Sequence, residues 1–197
     1  ENIEKYDLGV AAQKIYDFIR NDFCDWYIEI VKPRLFNKED KTRKDVQYIL
    51  NYTLCTSLKL LHPFMPFITE KIYQALYHKK ESIMISDFPK YNEKLDFKKE
   101  EEITSEIMDI IVEIRNIRSK MNVHPSKKTK LIIVTQTQKH EIEQSKAFLE
   151  KLGFASRIEI KEKEENIPEN AVSIISKNME IFIPFEELVD LEEEKKR

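Results

Sequence analysis

The sequence has little glycine: Gly9 and Gly153 are the only two in 197 residues. A loop that cradles phosphate needs several glycines within a few residues, so that class of nucleotide site is excluded and helix is favoured. Cysteine is equally scarce, with Cys24 and Cys55 alone. Each falls in an apolar helical pattern without a partner at metal-ligand spacing, which predicts reduced thiols and a cytoplasmic setting. The four histidines, His62, His78, His124 and His140, are scattered, and no two have zinc spacing. No metal site is expected. No apolar run approaches the roughly 20 residues of a membrane-spanning helix, and no signal-peptide pattern opens the chain. Excess positive charge is missing too, since the net charge is −3. A nucleic-acid site, if there is one, must therefore be local.

What is present is organised around residues 103–134, a long amphipathic stretch that passes through a basic junction into a short apolar run. Ile103, Ile107, Ile110, Ile111, Ile114, Ile117 and Met121 recur at spacings of three and four, the signature of one helix face. Val123, His124, Pro125 and Ser126 are expected to end that helix, because proline lacks an N–H and disfavours helical geometry before it. Between Arg115 and Lys130 stand six cations and no carboxylate (Arg115, Arg118, Lys120, Lys127, Lys128, Lys130). In an acidic chain this run is the most informative local feature.

Upstream, residues 6–31 are predicted to form one helix with an apolar stripe of Leu8, Ala11, Ala12, Ile15, Ile19, Trp26 and Ile30, stopped by Pro33. A polar connector leads to a second helix over residues 42–61. Pro63 breaks it, and Pro66 suits the first turn of a third, with Phe67, Ile68, Ile72, Ala75 and Leu76 as its apolar face. Residues 82–89 suggest a short extended segment. With the long helix, this makes a four-helix bundle that is expected to hold the main core, between Tyr6 and Met121. Downstream the period changes to that of strands: residues 131–135, a helix over 139–152 capped by Gly153, then strands near 157–160, 171–175 and 180–184, the last two flanking a Ser-Lys-Asn turn. The acidic tail has the charge pattern of another exposed helix. The first residue, Glu1, and the final Lys-Lys-Arg suggest a piece of a longer chain.

A catalytic constellation is not apparent. His62 is expected to be a packed or capping residue, Cys24 has no histidine near it in sequence, and Glu100 to Glu102 form a solvated acidic face.

The stretches DFCDWYIEIVKPRLF, LLHPFMPFITEKIYQAL, SIMISDFP and IRNIRSKMNVHPSKK resemble the C-terminal region of the bacterial valyl-tRNA synthetase family, in that family's order and from about Tyr6 onward. NVHPSKK discriminates, because leucyl enzymes typically carry a KVRG-like sequence there and isoleucyl enzymes usually add a cysteine-rich zinc module. The HIGH and KMSKS catalytic signatures are not in the chain. The resemblance implies a mainly α protein: a class I synthetase-type anticodon-binding helical bundle (residues 1–125), a small α+β subdomain (126–187) and the start of a C-terminal coiled-coil arm (188–197). It implies a non-catalytic, tRNA-binding part of a valine–tRNA ligase whose ATP and Mg²⁺ act in the missing part. The implied partners are valine tRNA and the parent chain's catalytic and editing domains, in a monomeric cytoplasmic enzyme. The alternatives are a non-catalytic helical protein-interaction module, or the same region of an isoleucyl or leucyl enzyme.

An anticodon loop offers unstacked bases and a phosphate backbone, so its binder needs aromatic or guanidinium planes beside local cations. Trp26 and Tyr27, near Lys32 and Arg34 at a helix end, supply both. Arg115 and Arg118 share one helix face, with Arg118 at the edge of the apolar stripe, and Lys127 and Lys128 are point charges on the following turn. These eight residues are the candidate tRNA contacts.

Overall fold

A computed structural model describes residues 2–124, 126–163, 167, 168 and 170–188. The chain divides into two compact units, Glu1–Lys94 and Leu95–Arg197.

The first unit is helical. Helix α1 (Leu8–Asp17) runs through a π-helical segment (Phe18–Tyr27) into α2 (Ile28–Phe36). In the π segment each N–H reaches back five residues, as from Ile28 to the Phe23 carbonyl, and the wider turn shifts the inward face. Phe23 and Val31 are therefore buried although neither belongs to the expected stripe, Trp26 is only half-buried, and Cys24 faces solvent. Pro33 does not stop the helix but lies inside α2. One turn from the end, its missing N–H forfeits a single hydrogen bond.

Helix α3 (Arg43–Leu61) follows, and α4 (Pro66–Ala75) begins with proline at its first position. The predicted apolar face of α4 points outward, with Phe67 91% exposed, while Thr69 and Tyr73 are buried. Polar bonding sets this rotation. The Thr69 hydroxyl donates to the Met65 carbonyl at 2.8 Å and lies 2.7 Å from His62 Nδ1, and the Tyr73 hydroxyl is 3.2 Å from Ser86 Oγ. His62 is the packed, helix-end residue expected, with its other ring nitrogen 2.9 Å from Met84 Sδ. The segment expected to be extended is instead a 3₁₀ turn, Ile83–Ile85. Ser82 Oγ caps it by accepting from the Met84 N–H, and the Glu70 carboxylate accepts from both Ser82 Oγ and the Ile83 N–H.

The second unit holds helix α5 (Lys98–Lys120) and a four-stranded sheet of β1 (Thr129–Val134), β2 (Ala155–Lys161), β3 (Ala171–Ile175) and β4 (Glu180–Pro184), in the order β2-β1-β4-β3. β1 and β2 are parallel, joined through helix α6 (Lys139–Leu152), and the pairs β1–β4 and β3–β4 are antiparallel. A short helix, α7 (Phe185–Leu188), ends the described chain, so the expected arm beyond it lies outside the described residues. Strand and helix periods located β1 to β4 and α6 to within two residues, because each buries one face of plain aliphatic character, whereas α5 starts five residues before the Ile103 at which its stripe begins.

Two expectations change here. The long helix α5, assigned from sequence to the bundle with a boundary at residue 125, packs with the sheet in a unit that begins at Leu95. The main core is also in this unit. Ile107, Ile111, Ile114, Leu131, Ile132, Ile133, Ile142, Ile181 and Ile183 are essentially inaccessible, whereas Val46 is the one comparable residue described in the first unit. Helical periodicity shows that a face is apolar but not which neighbour covers it. Gly153 caps α6 as expected, though without positive φ. A Cβ there would lie 2.7 Å from the Leu149 carbonyl oxygen, so close approach is what requires glycine.

Glu106, 9% exposed on the inner side of α5, binds the β3–β4 turn. Its carboxylate accepts from Ser176 Oγ at 2.8 Å, the Asn178 N–H at 2.9 Å, Asn178 Nδ2 at 3.1 Å and Gln138 Nε2 at 3.2 Å. Burial works to raise its pKa and is the largest single influence, but the four hydrogen bonds together hold it below the ordinary value.

Two predictions follow from this packing. Ile111→Ala should destabilise the chain by about 2–5 kcal/mol in a denaturant melt, the usual range for emptying a buried aliphatic site. A loss below about 0.5 kcal/mol would mean that the site is not packed as described. Because the folded pKa of Glu106 is depressed, its stabilisation is complete above the unfolded carboxyl's value of about 4.3 and is lost as pH falls through the lower folded value. The stability difference between the parent and Glu106→Gln should thus be widest near neutrality and narrow below about pH 4, as followed by melts at stepped pH.

Candidate nucleic-acid interface

The basic run begins where α5 ends. Asn122 adopts φ 52°, the Val123 N–H reaches the Arg118 carbonyl at 2.9 Å, and the Asn122 N–H reaches the Ser119 carbonyl at 3.1 Å. A left-handed asparagine just past the last turn, with a bond reaching five residues back, satisfies the orphan carbonyls and reverses the chain. The helix thus ends at Lys120, just before the left-handed Asn122 and ahead of the Val-His-Pro-Ser segment credited from sequence; Pro125 itself lies outside the described residues. Next, the Lys127 N–H bonds the His124 carbonyl at 3.0 Å, and Ser126 Oγ lies 2.7 Å from His124 Nδ1.

Arg118 does not reach outward as expected. It is 4% exposed, with Nη2 donating to the carbonyls of His124 at 3.3 Å and Lys127 at 2.5 Å. Nη1 lies 3.5 Å from Thr129 Oγ1, and the guanidinium carbon sits 5.1 Å from the centre of the Phe154 ring. The sequence placed it at the edge of the apolar stripe. Packing turned it inward because the chain reversal supplies carbonyls there and Phe154 supplies a ring face. Arg115 is exposed, and its Nε donates to the Leu152 carbonyl at 3.0 Å, closing the last turn of α6. Lys127 is half-buried and Lys128 exposed. Lys130 is engaged, its Nζ 2.9 Å from Glu159 and its N–H bonded to Glu187. The run therefore splits into a buried Arg118 that binds the turn, the engaged Arg115 and Lys130, a half-buried Lys127, and the exposed Lys120 and Lys128.

In the first unit, Trp26 and Tyr27 are half-buried at the end of the π segment, and Tyr27 stacks on Phe23 with ring centres 6.1 Å apart. Burial raises the Tyr27 phenol above its ordinary pKa, and the nearby Arg34 charge opposes this. Lys32 pairs with Glu29 one turn back. Arg34 is exposed; its Nε donates to Thr42 Oγ1 at 2.9 Å, and Thr42 in turn donates to Asp40. Trp26 and Tyr27 thus close the π segment, Lys32 and Arg34 follow within α2, with the Arg34 charge felt at Tyr27, and Arg115, Arg118, Lys127 and Lys128 lie at the end of α5 and on the turn after it.

Sequence analysis missed Phe154 and Thr129, which meet Arg118 from more than ten residues away. No local pattern announces either. A bulky residue directly after a helix-ending glycine is a faint signal, and Phe154 has φ 55°. Among the described residues no group of three or more His, Cys, Asp or Glu is placed to hold a metal ion, and no helix is long and apolar enough to cross a membrane.

Burial separates the two kinds of cation in a thermal melt. Arg118→Met should cost about 1–3 kcal/mol, since it removes the donors that the turn carbonyls and Thr129 Oγ1 bond, whereas Lys128→Ala should stay within about 0.5 kcal/mol of the parent.

Residues 1–133 match the family described as the anticodon-binding domain of tRNA ligase. The whole chain is 43% identical to a valine–tRNA ligase of Clostridium acetobutylicum and 36% identical to one of Bacillus thuringiensis subsp. konkukian; it covers 22% of the length of each. A valine–tRNA ligase of Carboxydothermus hydrogenoformans is 38% identical over 99% of the chain and, again, 22% of its own length. The chain thus spans about a fifth of the relatives it matches, and an interaction module unrelated to tRNA is not favoured. By the match over most of its length, the chain belongs to the family of anticodon-binding domains of tRNA ligases.

Proposed function

We propose that this chain is the tRNA-binding portion of a valine–tRNA ligase and holds the anticodon end of valine tRNA while a separate part of the same parent performs aminoacylation. The observation that carries this reading is the 43% identity to a valine–tRNA ligase over the whole of the chain. In this role the first unit is the class I synthetase-type bundle. The exposed Lys128 and the half-buried Lys127 meet phosphates as point charges. Arg115 lies on the exposed side of α5, and Trp26 and Tyr27, with Lys32 and Arg34, offer ring and guanidinium planes for unstacked bases. ATP and Mg²⁺ would serve the parent's chemistry outside this chain, which carries neither HIGH nor KMSKS. The parent is taken as a monomeric cytoplasmic enzyme.

The test is a titration of the chain with valine tRNA and with an anticodon-swapped version at several salt concentrations. Preference for the cognate anticodon is expected, with a log–log salt slope of about −0.7 to −0.9 per phosphate contact. Equal affinity for both RNAs, or no binding to either, would remove the anticodon role. The chain alone should show no valine-dependent ATP–pyrophosphate exchange above a buffer blank.

A further inference from the structure

We infer that Arg118 is a positioning residue for RNA binding: it touches no RNA, and instead holds the turn after α5 in the shape that lets Lys128 meet a phosphate. This rests on the tRNA-binding function proposed above and adds to it a residue that acts through its neighbour.

Arginine is seldom buried without an acidic partner. Arg118 is 4% exposed, yet its hydrogen bonds go to the carbonyls of His124 and Lys127 and to Thr129 Oγ1, with no carboxylate among them. Its charge is offset by carbonyl dipoles and by its place in the last turn of α5, where a cation is favoured. A side chain kept only to fill space would not need a guanidinium there. What the guanidinium provides is a planar group that bonds two carbonyls of the turn through Nη2, reaches Thr129 Oγ1 through Nη1 and lays its face on the Phe154 ring, a combination that a lysine ammonium, as a point donor, cannot reproduce.

A second feature converges on the same place. Phe154 has φ 55°, in the left-handed region that a bulky residue enters only under strain, and its ring lies against the Arg118 guanidinium. Strained backbone and a desolvated cation thus meet beneath one turn. That turn bears Lys128, which is exposed, in a stretch without any carboxylate from Arg115 to Lys130. Among the described residues no acid pairs with the cation below, and the cation above is aimed by the carbonyls that the lower one holds.

The test is a double-mutant cycle on the full chain with Arg118→Lys, Lys128→Ala and the pair together, measuring binding of valine tRNA over a salt series beside a thermal melt. Arg118→Lys keeps the charge and loses the planar group. It should weaken binding about five- to tenfold and make the salt slope shallower by about 0.7–0.9, one phosphate contact. Lys128→Ala should do the same, and the double variant should bind no more weakly than Lys128→Ala alone. A merely structural arginine would weaken binding by the same factor with and without Lys128, and that result would overturn the inference. So would unchanged binding by Arg118→Lys while Lys128→Ala binds less. If Lys128→Ala binds as the parent does, the positioning role falls and the tRNA-binding function stands; if the parent binds no tRNA, both fall. Should Arg118→Lys not fold, Phe154→Leu, which removes the ring against the guanidinium, takes its place in the same cycle with the same outcomes.

Discussion

Helix α5 depends on burying an aliphatic face and two opposite charges at once. Ile107, Ile110, Ile111 and Ile114 supply the apolar contact, with Glu106 about two turns in from the start of the helix and Arg118 in its last turn, 9% and 4% exposed. Each charge is tolerable only because it is hydrogen-bonded, since desolvating an ion without partners would cost more than the surrounding packing returns. Glu106 collects four donors, three of them from the β3–β4 turn. Arg118 donates to the carbonyls of the reversal that leads into β1. The two connections that enclose the sheet's central strands are thereby anchored to one helix.

This division of labour explains the character of the basic run. A carboxylate-free stretch suggests a uniform cationic patch, but its members do different work. Arg118 gives up exposure to shape the turn, Arg115 closes the last turn of α6 through the Leu152 carbonyl, and Lys130 is drawn to Glu159. Lys128 keeps its side chain in solvent. An electrostatic footprint read from sequence thus overstates the charge that a ligand meets, and the buried Arg118 sets the direction of Lys128.

Much of the fold was legible because its signals are local. The α5 stripe, the α6 helix and the strands at 171–175 and 180–184 follow from periodicity, and Pro66 at the start of α4 follows from what proline lacks. What was not legible depends on partners distant in sequence or on a changed helical pitch. The π segment shifts inward positions that a period of 3.6 assigns elsewhere, so Phe23 is buried and Cys24 is not. The outward face of α4 reflects polar bonds of Thr69 and Tyr73 that outweigh its apolar pattern. At the candidate site, the clustering of cations was visible, and the burial of Arg118 was not, because it needs Phe154 and a chain reversal whose geometry no single residue announces.

The hydrogen bonds of Arg118 to the turn and β1 span 6 to 11 residues, whereas those of Glu106 to the β3–β4 turn span 70 and 72. Closing a loop of the longer kind costs about 2 kcal/mol more than one of the shorter, by the logarithmic dependence on length. As the chain folds, the reversal after α5 can therefore take shape while the β3–β4 hairpin is still undocked, and the carboxylate latch closes over a basic turn already formed.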